Sequence, residues 1–381
     1  MNSRERILAT LNHEQPDRIP FDLGGSYVTG ITKNAYIRLA EALGIEAEPV
    51  TLCDVVQQLV EPCEEILQQL EVDTRGIVPN IVRKHPILDI RDGQQQFRDE
   101  WGVLWRRPSG ALYFDVAESP FSEHISKQAI VDFDWPDAAS PSLFDGLEQK
   151  AHLHYEQGYA IMLENICAGI FEMSCRVRGT EQFMMDLVMN PDIACELLGK
   201  FVEIKLQYYQ AAAERLGGYI QLIREVDDMA GQQSMLISPE MYRQFIKPQH
   251  KQLFEAQKKL FPQPFYTFFH SDGAISDIIG DFIETGVDIL NPVQLTAKGM
   301  DAQTLKHQFG KHLTFWGGGV NTQHILPHGT PQQVRQNVQE RIAQLAPNGG
   351  FVFATVHNIQ DDVPAENILA MIEAFQEMRQ Y

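Results

Sequence analysis

With 381 residues, 44% of them hydrophobic and 22% charged, the chain can bury a large core and shows no compositional mark of disorder. Its 51 Asp and Glu against 31 Lys and Arg give a formal net charge of −20, which repels phosphate backbones and anionic headgroups and argues against nucleic acid and membrane as partners. The charged opening, Met1-Asn2-Ser3-Arg4-Glu5-Arg6, has no secretory apolar core, and no later run approaches a membrane span, so a cytoplasmic location is expected.

In chain order, eight strand-like runs appear: Arg18 to Asp22, Gly76 to Asn80, Ala160 to Glu164, Tyr219 to Arg224, Phe265 to His270, Val287 to Asn291, Leu313 to Trp316 and Phe351 to Val356. Helix-patterned segments separate them at 34 to 43, 54 to 70, 145 to 157, 181 to 216 in two pieces, 239 to 260, 275 to 285, 301 to 309, 331 to 346 and 365 to 379. Ser238-Pro239-Glu240 and Thr330-Pro331-Gln332-Gln333 mark helix starts, the second with the makings of a capping box. Alternating strands and helices predict an α/β fold, a (β/α)8 TIM barrel in one domain over 1 to 381. The stretch from 81 to 140 breaks the alternation and reads as a β-hairpin insertion after the second strand. The five cysteines, Cys53, Cys63, Cys167, Cys175 and Cys195, contain no Cys-x-x-Cys pair and read as ordinary thiols.

In such a barrel the chemistry gathers where strands run into the following loops. Those ends carry Glu164, Glu225 with Asp227 and Asp228, His270 with Asp272, Asn291, Gly318 and Gly319, and His357. One histidine at a strand end is commonly a polar cap bonded to backbone. Two of them with Asp272, at the fifth and eighth strand ends, make a three-ligand set with a coordination position left open. Glu164 follows the apolar Ile161-Met162-Leu163, so its carboxylate needs a cation, a metal or a substrate donor. Asp228 is a second candidate for positioning substrate or moving a proton, and Glu225 and Asn291 are candidate substrate contacts. Gly318 and Gly319 would bring bare backbone N–H groups to a ligand.

Several blocks resemble the uroporphyrinogen decarboxylase and cobalamin-dependent methyltransferase superfamily. They are Leu8-Ala9-Thr10-Leu11-Asn12-His13-Glu14 before Pro16-Asp17-Arg18-Ile19-Pro20, Ile237-Ser238-Pro239-Glu240-Met241-Tyr242, His270-Ser271-Asp272-Gly273, and Gly286-Val287-Asp288-Ile289-Leu290-Asn291-Pro292. Gly318-Gly319-Val320-Asn321 through Gly329-Thr330-Pro331, and Pro364-Ala365-Glu366-Asn367-Ile368, extend the likeness over nearly the whole chain. The resemblance implies one of two branches. Porphyrinogen decarboxylases need an arginine-rich loop after the first strand; here that loop is Gly24-Gly25-Ser26-Tyr27-Val28-Thr29-Gly30, without arginine, which disfavours a polycarboxylate substrate.

Methyltransferases of the other branch hold zinc through His-x-Cys and a later Cys, and the matching positions here are His270, Asp272 and His357. Replacing two thiolates by oxygen and nitrogen leaves Zn2+ with about one positive charge and harder donors. Such an ion is a stronger Lewis acid, suited to an ether or hydroxyl oxygen or an amine. The resemblance therefore implies methyl transfer between a small O- or N-methylated compound and a corrinoid carried by a partner protein. The rival readings are a metal-free uroporphyrinogen-type decarboxylase, a metal-dependent hydrolase and a non-catalytic binding protein.

Overall fold

In the computed structural model, which describes every residue except 47–49, 82–88, 92 and 124, seven short parallel strands pair in chain order into one sheet. They are Thr74–Ile77, Ala160–Leu163, Leu222–Val226, Tyr266–His270, Ile289–Asn291, Thr314–Trp316 and Phe351–Val352. The first predicted run contributes a single parallel bridge, Phe21 with Phe353, yet it reaches both edges of the sheet. The Asp22 N–H donates to Phe353 O at 2.9 Å, and the Asp73 N–H donates to Phe21 O at 2.8 Å. The sheet is curled in the manner of a (β/α)8-type barrel.

Side chains alternate across each strand. One face gathers Ala160, Met162, Leu222, Phe268, Ile289, Trp316 and Val352 into an inner cluster. The other face sends Ile161, Leu163, Ile223, Phe269, Leu290, Phe315 and Phe351 into the main core shared with the helices. Both faces are buried, as the near-continuous apolar runs require. The same alternation fixes the direction of each polar residue at a strand's end. Those two positions beyond an inner residue face inward; their neighbours face the helices.

Helices lie at most of the expected places. The capping box at Thr330 and Gln333 opens helix Pro331–Leu345, and the Ser238 hydroxyl accepts from Met241 N at the start of the segment 239–260. The expected helix at 54 to 70 is largely absent. Leu52–Asp54 and Leu59–Val60 pair as an antiparallel ribbon, and the helix spans only Glu64–Gln69. Pro62 explains the break, because its ring and missing N–H stop a helical run there. Helix Ile170–Arg178 escaped the sequence reading.

The segment expected as a hairpin is a four-stranded antiparallel sheet of Asp89–Arg91, Gln94–Arg98, Leu104–Arg107 and Asp115–Glu118; positions 82–88, 92 and 124 of it lie outside the described residues. The Asp99 carboxylate holds its middle turn, accepting from Trp101 N and Val103 N at 2.9 Å and from Trp105 Nε1 at 2.7 Å. Among the described residues, no helix is long and apolar enough to cross a membrane.

Candidate active site

A cavity of about 640 Å³ opens where the strands end, and Asp228, His270, Asp272 and His357 all line it. His270 follows the inner residue Phe268 by two positions and is 2% exposed. Its Nδ1 lies 2.5 Å from Asn291 Oδ1. Asn291 Nδ2 donates to Trp316 O at 2.7 Å, which leaves its Oδ1 as the acceptor and makes His270 Nδ1 the protonated nitrogen. The lone pair of Nε2 is thereby turned toward Asp272. Asp272 Oδ2 stands 3.8 Å from His270 Nε2 and 3.9 Å from His357 Nε2, and the three ligand atoms lie within 4.8 Å of one another.

Those separations are too long for hydrogen bonds. They approach the roughly 3.4 Å that neighbouring donors adopt around a tetrahedral Zn2+ with ligands at about 2.1 Å. Asp272 Oδ1 is buried without a hydrogen-bond partner, an arrangement a bound cation would relieve. The donor set fits a divalent metal, with Asn291 as the outer partner that orients one imidazole. Burial pushes His270 down to about 4, against the raising charge of Asp272. Burial and then the Arg224 charge push His357 to about 4 as well. Both imidazoles are therefore neutral near pH 7, the state a ligand needs.

Asp228 accepts the Asp272 N–H at 2.9 Å. Withdrawal from water, then the charges of Glu172 and Asp272, push its carboxyl well above the usual range, which suits a group that holds or delivers a proton. Burial likewise raises Asp272 itself. Glu172 and Arg176, paired at 2.6 Å, reach the cavity from helix Ile170–Arg178. Buried Asp227 accepts from Phe171 N at 2.9 Å and Glu172 N at 2.8 Å, and His250 Nε2 sits 3.0 Å from it. A carboxylate at the first turn stabilises the helix and fixes where Glu172 stands.

Glu164 faces inward but does not itself line the cavity. It binds Arg224 in a buried ion pair and accepts from Tyr27 N at 2.9 Å, so Arg224 is the member that meets the cavity.

The matched region covers most of these groups. Residues 153–378 match the family described as uroporphyrinogen decarboxylase (URO-D). The chain belongs to the uroporphyrinogen decarboxylase family. Among curated relatives, the uroporphyrinogen decarboxylase of Carboxydothermus hydrogenoformans is 23% identical over 189 residues, 49% of either chain. The methylated-thiol–coenzyme M methyltransferase of Methanosarcina mazei is 26% identical over 144 residues, 38% of this chain and 35% of that one. The chain thus spans about half or less of these relatives' length. A solved methyltransferase from Methanosarcina mazei shares the fold across 99% of both chains, at a TM-score of 0.65 and 16% identity.

Within this member of the family, none of the four expected substrate contacts lines the cavity. Glu225 is one position out of phase with the inner residues. Its carboxylate is 2% exposed and meets Lys205 Nζ at 2.9 Å and Gln257 Nε2 at 3.2 Å in the helix layer. Gly318 and Gly319 serve packing: a Cβ on Gly318, at φ +86°, would meet Val293 at 2.9 Å, and one on Gly319 would meet Phe353 within 2.4 Å. The Gly319 N–H is already given to Ala354 O at 2.9 Å. Asn291 acts on His270 rather than lining the cavity.

The sequence reading gave no role to Arg224, Glu172 or the inserted aromatics Trp105, Tyr113 and Phe114, all of which line the cavity. Arg224 was legible, since it lies two positions after inner-facing Leu222 just as His270 follows Phe268. The inserted aromatics carry no strand-end signal.

Proposed function

We propose that this chain is a metal-dependent methyltransferase that moves a methyl group between a small O- or N-methylated compound and a corrinoid carried by a partner protein. The observation that supports it most is the His270, Asp272 and His357 cluster, with its buried, unpartnered Asp272 oxygen, at the mouth of a fold shared with a methyltransferase. These three residues would hold Zn2+, which supplies a Lewis acid to polarise an oxygen or nitrogen of the substrate. Asn291 sets the tautomer of His270. Glu164 fixes Arg224 at the cavity wall, and Asp228 holds or returns the proton that the demethylated product needs.

Decarboxylation of a porphyrinogen is the weaker reading despite the decarboxylase relatives. The loop from Gly24 to Gly30 has no arginine, and both guanidiniums in the cavity, Arg176 and Arg224, are held by glutamates. Elsewhere in the chain, Arg75, which could serve an anionic substrate, is bound to Glu64 at 2.7 Å, and Arg83 lies outside the described residues. The test is methyl transfer to a reduced corrinoid protein, assayed with zinc-loaded and chelator-stripped enzyme beside uroporphyrinogen turnover. Transfer that needs the metal, with no coproporphyrinogen formed, is expected. Metal-independent decarboxylation would overturn the proposal, and turnover of an ester or amide without any corrinoid would favour the hydrolase reading instead.

A further inference from the structure

The cavity wall is strongly acidic. Five carboxylates, Asp54, Asp115, Glu172, Asp228 and Asp272, face two guanidiniums, and each guanidinium already has a glutamate of its own: Glu172 for Arg176 and Glu164 for Arg224. A divalent ion between two neutral imidazoles would balance Asp272 and one further charge, which still leaves the wall anionic. Glu172 Oε2, like Asp272 Oδ1, is buried without a hydrogen-bond partner. Such carboxylates favour a cation beside them.

The remaining wall says which kind of cation. Tyr27, Trp105, Tyr113 and Phe114 line the same space, and two of these rings already draw charge, with Arg176 5.3 Å from the Trp105 centroid and Arg224 5.9 Å from that of Tyr27. Hard cations such as Ca2+ and Mg2+ want oxygen donors throughout, whereas aromatic faces suit a weakly hydrated alkylammonium.

We infer that the cavity takes a methylated ammonium compound, with Glu172 as countercharge and Trp105 and Tyr113 as ring faces. This rests on the methyltransferase reading and narrows its substrate to the cationic N-methyl class. A quaternary nitrogen has no lone pair for a metal, so the ammonium would sit at the ring faces while an oxygen elsewhere on the substrate meets the ion that His270, Asp272 and His357 would hold.

Isothermal titration of the full chain, metal-free and zinc-loaded, with choline, its uncharged isostere tert-butylethanol and the anionic tert-butylacetate tests this without any methyl transfer. Choline is expected to bind about tenfold or more tighter than tert-butylethanol, with an advantage that shrinks as salt rises. Glu172→Gln should remove most of that advantage and leave tert-butylethanol binding unchanged. Equal or tighter binding of tert-butylethanol or tert-butylacetate to the wild-type protein overturns the inference, whatever the variants do. So does a second equivalent of zinc that Glu172→Gln abolishes, since a metal would then fill the acidic wall. Choline preference in a chain that binds no zinc would leave this inference standing and sink the metal reading; zinc binding without choline preference would do the reverse.

Discussion

Two buried ion pairs lie at the ends of neighbouring strands, and they do opposite jobs. Glu164 with Arg224 faces the inside of the sheet and puts a guanidinium on the cavity wall; Glu225 with Lys205 faces the helices, where both members are at most 2% exposed. Arg224 and Glu225 are adjacent in sequence. One step along the strand separates a cavity group from a scaffold group, so the phase of a polar residue relative to the apolar alternation says more about its role than its charge does.

If that comparison is right, the outer pair belongs to stability. Lys205→Ala should leave the Glu225 carboxylate buried and uncompensated and cost about 3–5 kcal/mol in urea unfolding. Zinc content per folded chain should not change. A loss of zinc with little loss of stability would erase the distinction. On the inner side, Asn291→Ala removes the acceptor that holds His270 Nδ1 and should weaken zinc binding about 10- to 100-fold with little change in fold. Unchanged affinity would show that the imidazole is oriented by something else.

Glu164→Gln keeps the shape of the inner pair and removes its charge. Because Arg224 also meets the cavity, the expected stability loss is smaller than for Lys205→Ala, about 1–3 kcal/mol, and activity should fall more than stability does. A loss as large as that of the outer variant would make Arg224 a scaffold residue too. The smallest effect belongs to a pair at the surface. The hydrogen bond from Arg6 holds half-exposed Asp17 at about 2, below its usual 3.8. A lowered carboxyl stabilises the fold above its unfolded value and loses that contribution as pH falls through about 2. Asp17→Asn should therefore cost less than about 1 kcal/mol at pH 7 and nothing near pH 2. A larger cost that persists in acid would mean that packing, not charge, holds Asp17.

What the sequence made legible follows the same logic. Seven of the eight strand runs overlap an observed strand because parallel strands buried on both faces read as continuous apolar runs, and the family likeness ties His270, Asp272 and His357 to one site. Tyr219 to Arg224 is in fact Leu222–Val226. That shift of two residues put Glu225 just past the expected strand end, where it looked like a ligand. Gly318 and Gly319 could not be resolved from sequence, because a glycine demanded by close packing and one that frees backbone for a ligand are the same residue. Helix Ile170–Arg178 follows its strand after a few residues and is held by Asp227, 55 or more residues away. Such a cap is tertiary and leaves no local trace.

The account stands most directly on the metal content of the protein. Elemental analysis of chain purified without an affinity tag, saturated with zinc and freed of excess, should give about one zinc per chain. His270→Ala, Asp272→Ala and His357→Ala should each lose most of it while staying folded, since two remaining ligands hold Zn2+ poorly against water. No zinc in the wild-type protein, or a His357→Ala variant that binds it as tightly as wild type, would contradict the account.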